Sequence, residues 1–162
     1  MKGYKVLTVK PEETYEWLKH KHYAARIPSI SYSYGLYEDN VLVGVLTIGK
    51  PASNSLCIGI CGEDNSEYVY ELNRLCVNDG LKKNALSFFV ATVLRRISNK
   101  ENMILVSYAD TKMSHVGYIY QATNWIYTGA TKERTDMYAG EGKHSRHGTD
   151  PSVRQHRSAK HR

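Results

Sequence analysis

The sequence lacks any apolar run close to the roughly 20 residues that a membrane-spanning helix needs. Its first residues, 1–7, also lack the long apolar run of a signal peptide. Cysteine is scarce, because Cys57, Cys61 and Cys76 are the only three, and they form no CxxC pair. This usage favours a reduced, cytoplasmic protein without a membrane partner.

Phenylalanine is almost absent, with two residues against 13 tyrosines. Tyrosine fills a core while keeping a polar tip, and it also stacks on nucleic-acid bases, so the bias permits either use. The chain of 162 residues is 41% hydrophobic and 23% charged, which are ordinary values for one globular domain. The sequence permits a homodimer without requiring one.

Positive charge is concentrated at the C-terminal end. The net charge is +6, and residues 141–162 contribute +4 of it, from six basic residues against Glu141 and Asp150. This segment has one large aliphatic residue, Val153, so it cannot form a packed core. We predict a domain over residues 1–140 and a basic segment over 141–162 that contacts double-stranded DNA. A solubilising tail is the alternative. The predicted DNA contacts are Lys143, Arg146, Arg154, Arg157, Lys160 and Arg162.

The stretch from Tyr68 to Gly129 carries the most information about the fold. Tyr68–Val77 is rich in strand-forming residues, and a turn with Gly80 ends it. Ala85–Ile97 is apolar on most sides, which predicts a buried helix. The connection between them has a phosphate-binding character, because helix N–H groups and lysines attract an anion. Its candidate residues are Lys82, Lys83, Asn84 and Ala85; an ordinary strand-to-helix connection is the alternative.

The rest of the chain completes an α/β (α+β) fold with a mixed sheet flanked by helices. The predicted order is strand, helix, hairpin, strand, basic turn, helix, strand, helix, strand. A hairpin is expected around Glu38–Asn40, and a strand over Trp125–Thr128. We expect an antiparallel first half and a helix-crossover second half.

This order resembles the GNAT acyltransferase superfamily. Residues 117–129 are similar to the late helix and strand of that family, and Tyr120 falls where many members carry a general-acid tyrosine. The resemblance implies acetyl-CoA or a related acyl donor. The phosphate loop departs from the family pattern, since Lys83 stands where glycine is usual.

A narrower resemblance links the chain to the phage Mom family. It rests on His22–Pro28, Glu71–Val77 and Ser107–Asp110, and on two stretches of the tail, Gly142–His147 and Arg157–Arg162. The family implies modification of adenine in phage DNA, with a carbamoylmethyl group added to the exocyclic N6 amine, in the host cytoplasm. That modification blocks host restriction.

The resemblance also directs attention to particular site residues. Tyr23, Arg74 and Asp110 are the candidate catalytic residues beside Tyr120. Asp110 suits a general base, although capping the next helix is its ordinary role. Arg74 suits an anionic ligand, although a salt bridge to Glu71 explains it equally well. The tyrosines predicted to stack on an extruded base are Tyr23, Tyr32, Tyr34 and Tyr108.

A metal is a further hypothesis, because a bare acetyl transfer would not yield a carbamoylmethyl product. The family resemblance suggests iron, and the candidate ligands are His20, His22, Asp110 and His115. Two other functional classes stay open. A conventional GNAT N-acetyltransferase would bind acetyl-CoA and not need the tail, whereas a non-enzymatic DNA-binding protein would not need Asp110 or Tyr23.

Overall fold

The structure is a computed structural model that describes residues 1–20, 27–109, 118–130 and 159–161. The chain divides into two units, Met1–Ser107 and Tyr108–Arg162. The predicted boundary at residue 140 lies outside the described residues and stays a prediction. No helix in the described ranges is long and apolar enough to cross a membrane.

The first unit is built on a mixed sheet with the strand order β1-β2-β3-β4-β5. Its strands are β1 (Tyr4–Thr8), β2 (Tyr32–Glu38), β3 (Val41–Gly49), β4 (Val69–Val77) and β5 (Ile104–Ala109), the last two residues of which belong to the second unit. The pairs from β1 to β4 are antiparallel, and β4 pairs with β5 in parallel. The predicted mixed α/β fold, antiparallel first and crossing over through a helix later, is therefore confirmed.

Within the described residues of the first unit, three helices flank this sheet. They are α1 (Pro11–His20), α2 (Asn54–Cys61) and α3 (Ala85–Ser98), and a 3-10 turn over Glu63–Tyr68 joins α2 to β4. Trp17 and Leu18 of α1 form one core cluster with Val45 and Cys76. Helix α3, the predicted buried helix, places Phe89, Val90 and Val93 at zero exposure. Apolar burial of this kind is the main force that holds helices on a sheet.

The hairpin around Glu38–Asn40 forms as expected. Asp39 and Asn40 have positive φ angles of 47° and 68°, which a two-residue turn of the primed type requires. Asparagine and aspartate tolerate this region better than other non-glycine residues.

Helix α2 is absent from the predicted order of elements. The apolar run Leu56–Cys61 lies in this helix, where Cys57 packs against Val69 and Val106. The local signal for a helix is Ser53, whose hydroxyl accepts a 3.3 Å hydrogen bond from the N–H of Leu56. A serine in this position caps a helix N-terminus.

The described part of the second unit holds α4 (Tyr118–Ala122), β6 (Tyr127–Ala130) and β7 (Ala159–His161), with β6 and β7 antiparallel. The prediction that Trp125 starts a strand is wrong. Asn124 ends the helical turn with a left-handed φ of 64°, and the N–H of Trp125 donates back to the carbonyl of Tyr120 at 3.0 Å.

Candidate functional site

A β-bulge in β4 lies at the centre of the candidate site. Thr47 pairs with Arg74 and Ile48 pairs with Leu72, so Asn73 is the extra residue between them. A bulge bends its strand and redirects the neighbouring side chains, and bulges are common beside active sites. The strand therefore changes direction at the position that carries Arg74.

The side chain of Asn73 connects three segments of the chain. Its Oδ1 accepts a 2.6 Å hydrogen bond from the Thr47 hydroxyl, and its Nδ2 donates to the Ser29 carbonyl at 2.8 Å. Gly49 makes room for this contact, because a Cβ there would lie 1.9 Å from the Ser29 oxygen. The entry to β2 thus lies directly against the backbone of β3.

Strands β4 and β5 separate next to the bulge. Their parallel register ends at Glu71 and Val106, although both strands continue beyond that point. At the point of separation the Ser107 hydroxyl donates to the Leu72 carbonyl at 2.9 Å. A side chain replaces the backbone pairing here, and we call this end of the β4–β5 register the opening.

The predicted sequence motifs meet at this opening where the structure describes them. Ser29 directly follows the first motif, Asn73 and Leu72 belong to the second, and Ser107 begins the third. Tyr23 and Asp110, which carry the proposed chemistry of the first and third motifs, lie outside the described residues.

Arg74 is half-buried in β4, and its Nη1 donates to the Asn73 carbonyl at 2.7 Å. The guanidinium is thus tied to the bulge. Its predicted role as an anion-binding residue of the site stays a prediction.

The loop before α3 is only partly arranged like a phosphate cradle. The N–H of Lys82 donates to the Tyr4 hydroxyl at 3.1 Å, and that hydroxyl donates to Glu38 at 3.0 Å. The Lys82 ammonium lies 5.7 Å from the Tyr4 ring centroid, within cation–π range. Ala85 is 1% exposed, and its N–H donates to the Lys82 carbonyl, so neither of these two backbone amides faces an outside ligand.

The remaining features of this loop suit an anion. Lys82, Lys83 and Asn84 are exposed. Asn84, with φ of 69°, gives α3 no side-chain cap. The N–H groups of Ala85 and Phe88 donate to backbone carbonyls, so within the described residues those of Leu86 and Ser87 are the first-turn groups left to solvent or an anion. The donor set therefore fits a phosphate held by lysine side chains and the helix N-terminus, with less backbone contribution than a glycine-rich loop supplies.

Tyr120 lies in the second unit. It is 8% exposed, and its ring packs edge-on against Trp125 with centroids 5.1 Å apart. The backbone bond between the two residues fixes the same contact. The tyrosine is held firmly by its own unit, and its role as a general acid stays a prediction.

Of the tyrosines predicted to hold a base, Tyr34 is in the core. It is 2% exposed, so it cannot stack on a ligand, and that prediction is wrong. Burial also raises the pKa of the Tyr34 hydroxyl, against a lowering by nearby Arg96. The alternation of β2 turns this ring inward, which the sequence pattern alone did not distinguish.

Tyr32 is half-buried at the start of β2, in a small aromatic cluster. Its ring lies 6.0 Å from that of Tyr70, and the Lys50 ammonium lies 3.9 Å from the centre of the Tyr70 ring. Burial, and then a hydrogen bond to Glu101, raise the pKa of Tyr32 to about 12. Tyr23 lies outside the described residues.

The iron hypothesis gains no support from the described residues, which contain no group of three or more metal-ligating side chains. The Nε2 of His20 lies 3.3 Å from the Oε2 of Glu16, one helical turn away on α1, and both side chains are largely exposed. His22, Asp110 and His115 lie outside the described residues, so no chemical step is assigned to a metal.

Of the predicted DNA-contacting residues, the structure describes Lys160 alone. It pairs with Gly129 across β6 and β7. The others, Lys143, Arg146, Arg154, Arg157 and Arg162, lie outside the described residues.

Sequence reasoning did not single out Ser29, Gly49, Asn73 or Ser107 as site residues. Asn73 and Ser107 belong to the motifs Glu71–Val77 and Ser107–Asp110, but the catalytic roles were assigned to Arg74 and Asp110 in those motifs. The available signal was Asn73, since asparagine is disfavoured inside strands and often marks an irregularity.

Comparison with known proteins adds a family and a fold. The model of the Mom protein family matches residues 3–162. The methylcarbamoylase Mom of Escherichia phage Mu is 30% identical over 131 residues, which cover 78% of this chain and 54% of that protein. The chain thus spans about half the length of this curated relative.

Solved structures of acetyltransferases share the fold. A putative acetyltransferase of Salmonella typhimurium, solved with acetyl-CoA, is 9% identical with a TM-score of 0.59, and the match covers 98% of this chain and 92% of that one. A GNAT-family acetyltransferase of Streptococcus pneumoniae is 9% identical with a TM-score of 0.60, covering 98% and 97%. A Bacillus subtilis acetyltransferase, solved with CoA, is 9% identical with a TM-score of 0.53, covering 98% and 96%.

Proposed function

The chain belongs to the Mom protein family, and on that premise we propose that it is a transferase that modifies DNA. Its substrate is adenine in double-stranded phage DNA, and the product carries a carbamoylmethyl-type group on the exocyclic N6 amine. The modification protects the DNA from host restriction. The observation that carries this proposal is the family match over residues 3–162, on a chain with a GNAT acetyltransferase fold.

The reaction poses a specific chemical problem. The exocyclic amine of adenine is a poor nucleophile, because its lone pair is delocalised into the ring. The base must also leave the stack before its amine can reach an enzyme-bound group, as in other enzymes that act on duplex bases. The protein must therefore hold an extruded base, present an electrophile and accept a proton.

The proposed roles follow from side-chain chemistry. Asp110 accepts a hydrogen bond or the proton from the amine. Arg74 holds an anionic group of the donor or of the DNA backbone with its planar fork. Tyr120 protonates the leaving group, and Tyr23 holds the base. The bulge at Asn73, beside the end of the β4–β5 register, supports a ligand-binding role for Arg74, because bulges are common next to active sites.

The donor is proposed to be an acyl-CoA or a related molecule. Attack of the amine on the thioester carbonyl of such a donor expels the thiol and gives an N6-acyl group. A carbamoylmethyl group is joined to N6 through its methylene carbon, so acyl transfer alone does not form it. The groups of this chain that would hold its phosphates are the side chains of Lys82 and Lys83 and the N-terminus of α3. The engaged N–H of Lys82 and the buried Ala85 set this loop apart from a cradle made of backbone amides.

The basic segment over residues 141–162 is proposed to hold the duplex. Its net charge of +4 attracts DNA phosphates independently of base sequence, and this attraction weakens as the salt concentration rises. The whole protein acts in the cytoplasm of the infected host cell under this proposal.

Mass spectrometry of nucleosides tests the function directly. Plasmid DNA from cells that express the protein should contain a new adenine-derived nucleoside, and its mass identifies the added group. Asp110→Ala should abolish it, because the proposed proton acceptor is gone. Asp79→Ala is the matched control, since Asp79 is an exposed acid in the turn after β4.

The two open alternatives predict other outcomes. Unmodified DNA from soluble protein that binds acetyl-CoA tightly would indicate a conventional N-acetyltransferase. Unmodified DNA, with salt-dependent DNA binding that survives Asp110→Ala, would indicate a DNA-binding protein without enzymatic activity.

A further inference from the structure

We propose that Asn73 is a positioning residue for Arg74, which it holds in place by fixing the bulge of β4. The inference rests on the proposed function, because Arg74 belongs to the proposed site. Asn73 itself is not assigned any contact with substrate.

The side chain at position 73 must donate and accept at the same time. Its Oδ1 accepts a hydrogen bond from the Thr47 hydroxyl at 2.6 Å, and its Nδ2 donates one to the Ser29 carbonyl at 2.8 Å. A primary amide meets both demands, whereas an ionised carboxylate only accepts and an aliphatic side chain does neither. The bulge residue is thus held from both β3 and the entry to β2.

The partners of the amide are themselves fixed. Thr47 has zero exposure in β3. Ser29 lies against Gly49, and the next residue but one, Ser31, donates its N–H to the Ile48 carbonyl at 2.8 Å. The amide therefore connects the bulge to a rigid part of the sheet.

The position of Arg74 depends directly on the backbone of Asn73. Arg74 follows the bulge directly, and its Nη1 donates to the carbonyl of Asn73 at 2.7 Å. A change in the Asn73 backbone would move both the Arg74 Cα and the acceptor of its guanidinium. Displacement of a site residue by about 1 Å costs roughly 100-fold in rate.

Two variants of Asn73 separate its contacts. Asn73→Asp keeps size and the acceptor for Thr47 but places a carboxylate oxygen opposite the Ser29 carbonyl. Asn73→Ala removes both contacts. Asn65→Asp is the matched control, because it makes the same chemical change at an exposed residue of the 3-10 turn.

The expected result has three parts. Both variants lower the modified fraction of plasmid adenine roughly 10- to 100-fold, while Asn65→Asp does not change it. DNA affinity stays within about twofold of wild type, since the basic tail supplies it. Hydrogen exchange of the Ser31 amide becomes faster in both variants, because the entry to β2 loses its anchor.

A double-mutant cycle distinguishes positioning from general destabilisation. If Asn73 acts through Arg74, then Asn73→Ala lowers modification less than about twofold further in an Arg74→Lys background. A full additional loss in that background would overturn the inference, as would wild-type modification by Asn73→Asp.

Failure of the proposed function looks different. Wild-type protein that yields no modified nucleoside would overturn the function and, with it, this role of Asn73. Unchanged Ser31 exchange in Asn73→Asp, with active wild-type protein, would overturn the anchor alone.

Discussion

The two strands beside β4 pair with it over different lengths. On one side β3 pairs with it from Glu71 to Val77, with a single bulge, and side chains reinforce the bulge. On the other side β5 pairs with only Val69, Tyr70 and Glu71 before the strands separate. One edge of β4 is thus a fixed support and the other an opening. The proposed function requires both, because its site has to hold Arg74 still and admit a ligand.

The largest effect is expected where the fixed side is most tightly packed. Gly49→Ala places a Cβ 1.9 Å from the Ser29 oxygen, so the entry to β2 must move and lose its bond to Asn73. We expect a loss of about 2 kcal/mol in the free energy of unfolding, measured with urea.

Gly59→Ala is the matched control for that measurement. Gly59 lies within α2 with no atom within 4 Å of an added Cβ. Alanine there should stabilise the protein by about 0.5–1 kcal/mol, because it lowers the entropy of the unfolded chain and favours the helix. Equal effects of the two substitutions would mean that the contact of Ser29 with β3 is not rigid.

The open side should respond less strongly. Ser107→Ala removes the hydroxyl that bonds the Leu72 carbonyl where β4 and β5 separate, at a residue 1% exposed. We expect a loss of about 1–2 kcal/mol, because a buried carbonyl loses a partner.

Ser66→Ala provides the comparison for that loss. The Ser66 hydroxyl donates to the Glu63 carbonyl at 2.9 Å, but this bond is exposed to water. The change should stay within about 0.5 kcal/mol. A Ser107→Ala loss as small as that of Ser66→Ala would show that the junction does not depend on the hydroxyl.

The sequence predicts the regular parts of this molecule better than the opening. Strand β4 and helix α3 were expected at Tyr68–Val77 and Ala85–Ile97, and the structure has Val69–Val77 and Ala85–Ser98. Hydrophobic patterning and turn residues are local signals, so they are visible in a single sequence.

The bulge is a different kind of feature. Asn73 is held by Ser29, 44 residues earlier, and by Thr47, 26 residues earlier. No local pattern records such a contact. The inward orientation of Tyr34 and the helix over Asn54–Cys61 were missed for a related reason, because short segments take their form from what they pack against.

The smallest expected effect is on the pH dependence of stability, and it concerns Tyr32, which lies between the two sides of β4. Tyr32 begins β2 near the Ser29 anchor, its ring meets Tyr70 of β4, and its hydroxyl bonds Glu101, which precedes β5. The pKa of Tyr32 is raised from 10.0 to about 12, by burial and then by Glu101. The folded protein therefore retains a proton that the unfolded chain has lost between these two values.

The sign of the effect on stability follows from that difference. Stability from the neutral Tyr32 hydroxyl is fully present below pH 10 and decreases as the pH rises from 10 to about 12. In urea titrations over this window, wild-type protein should lose stability more steeply than Tyr32→Phe. Identical slopes for the two proteins would mean that burial and the Glu101 carboxylate do not raise the pKa of Tyr32 in the folded protein.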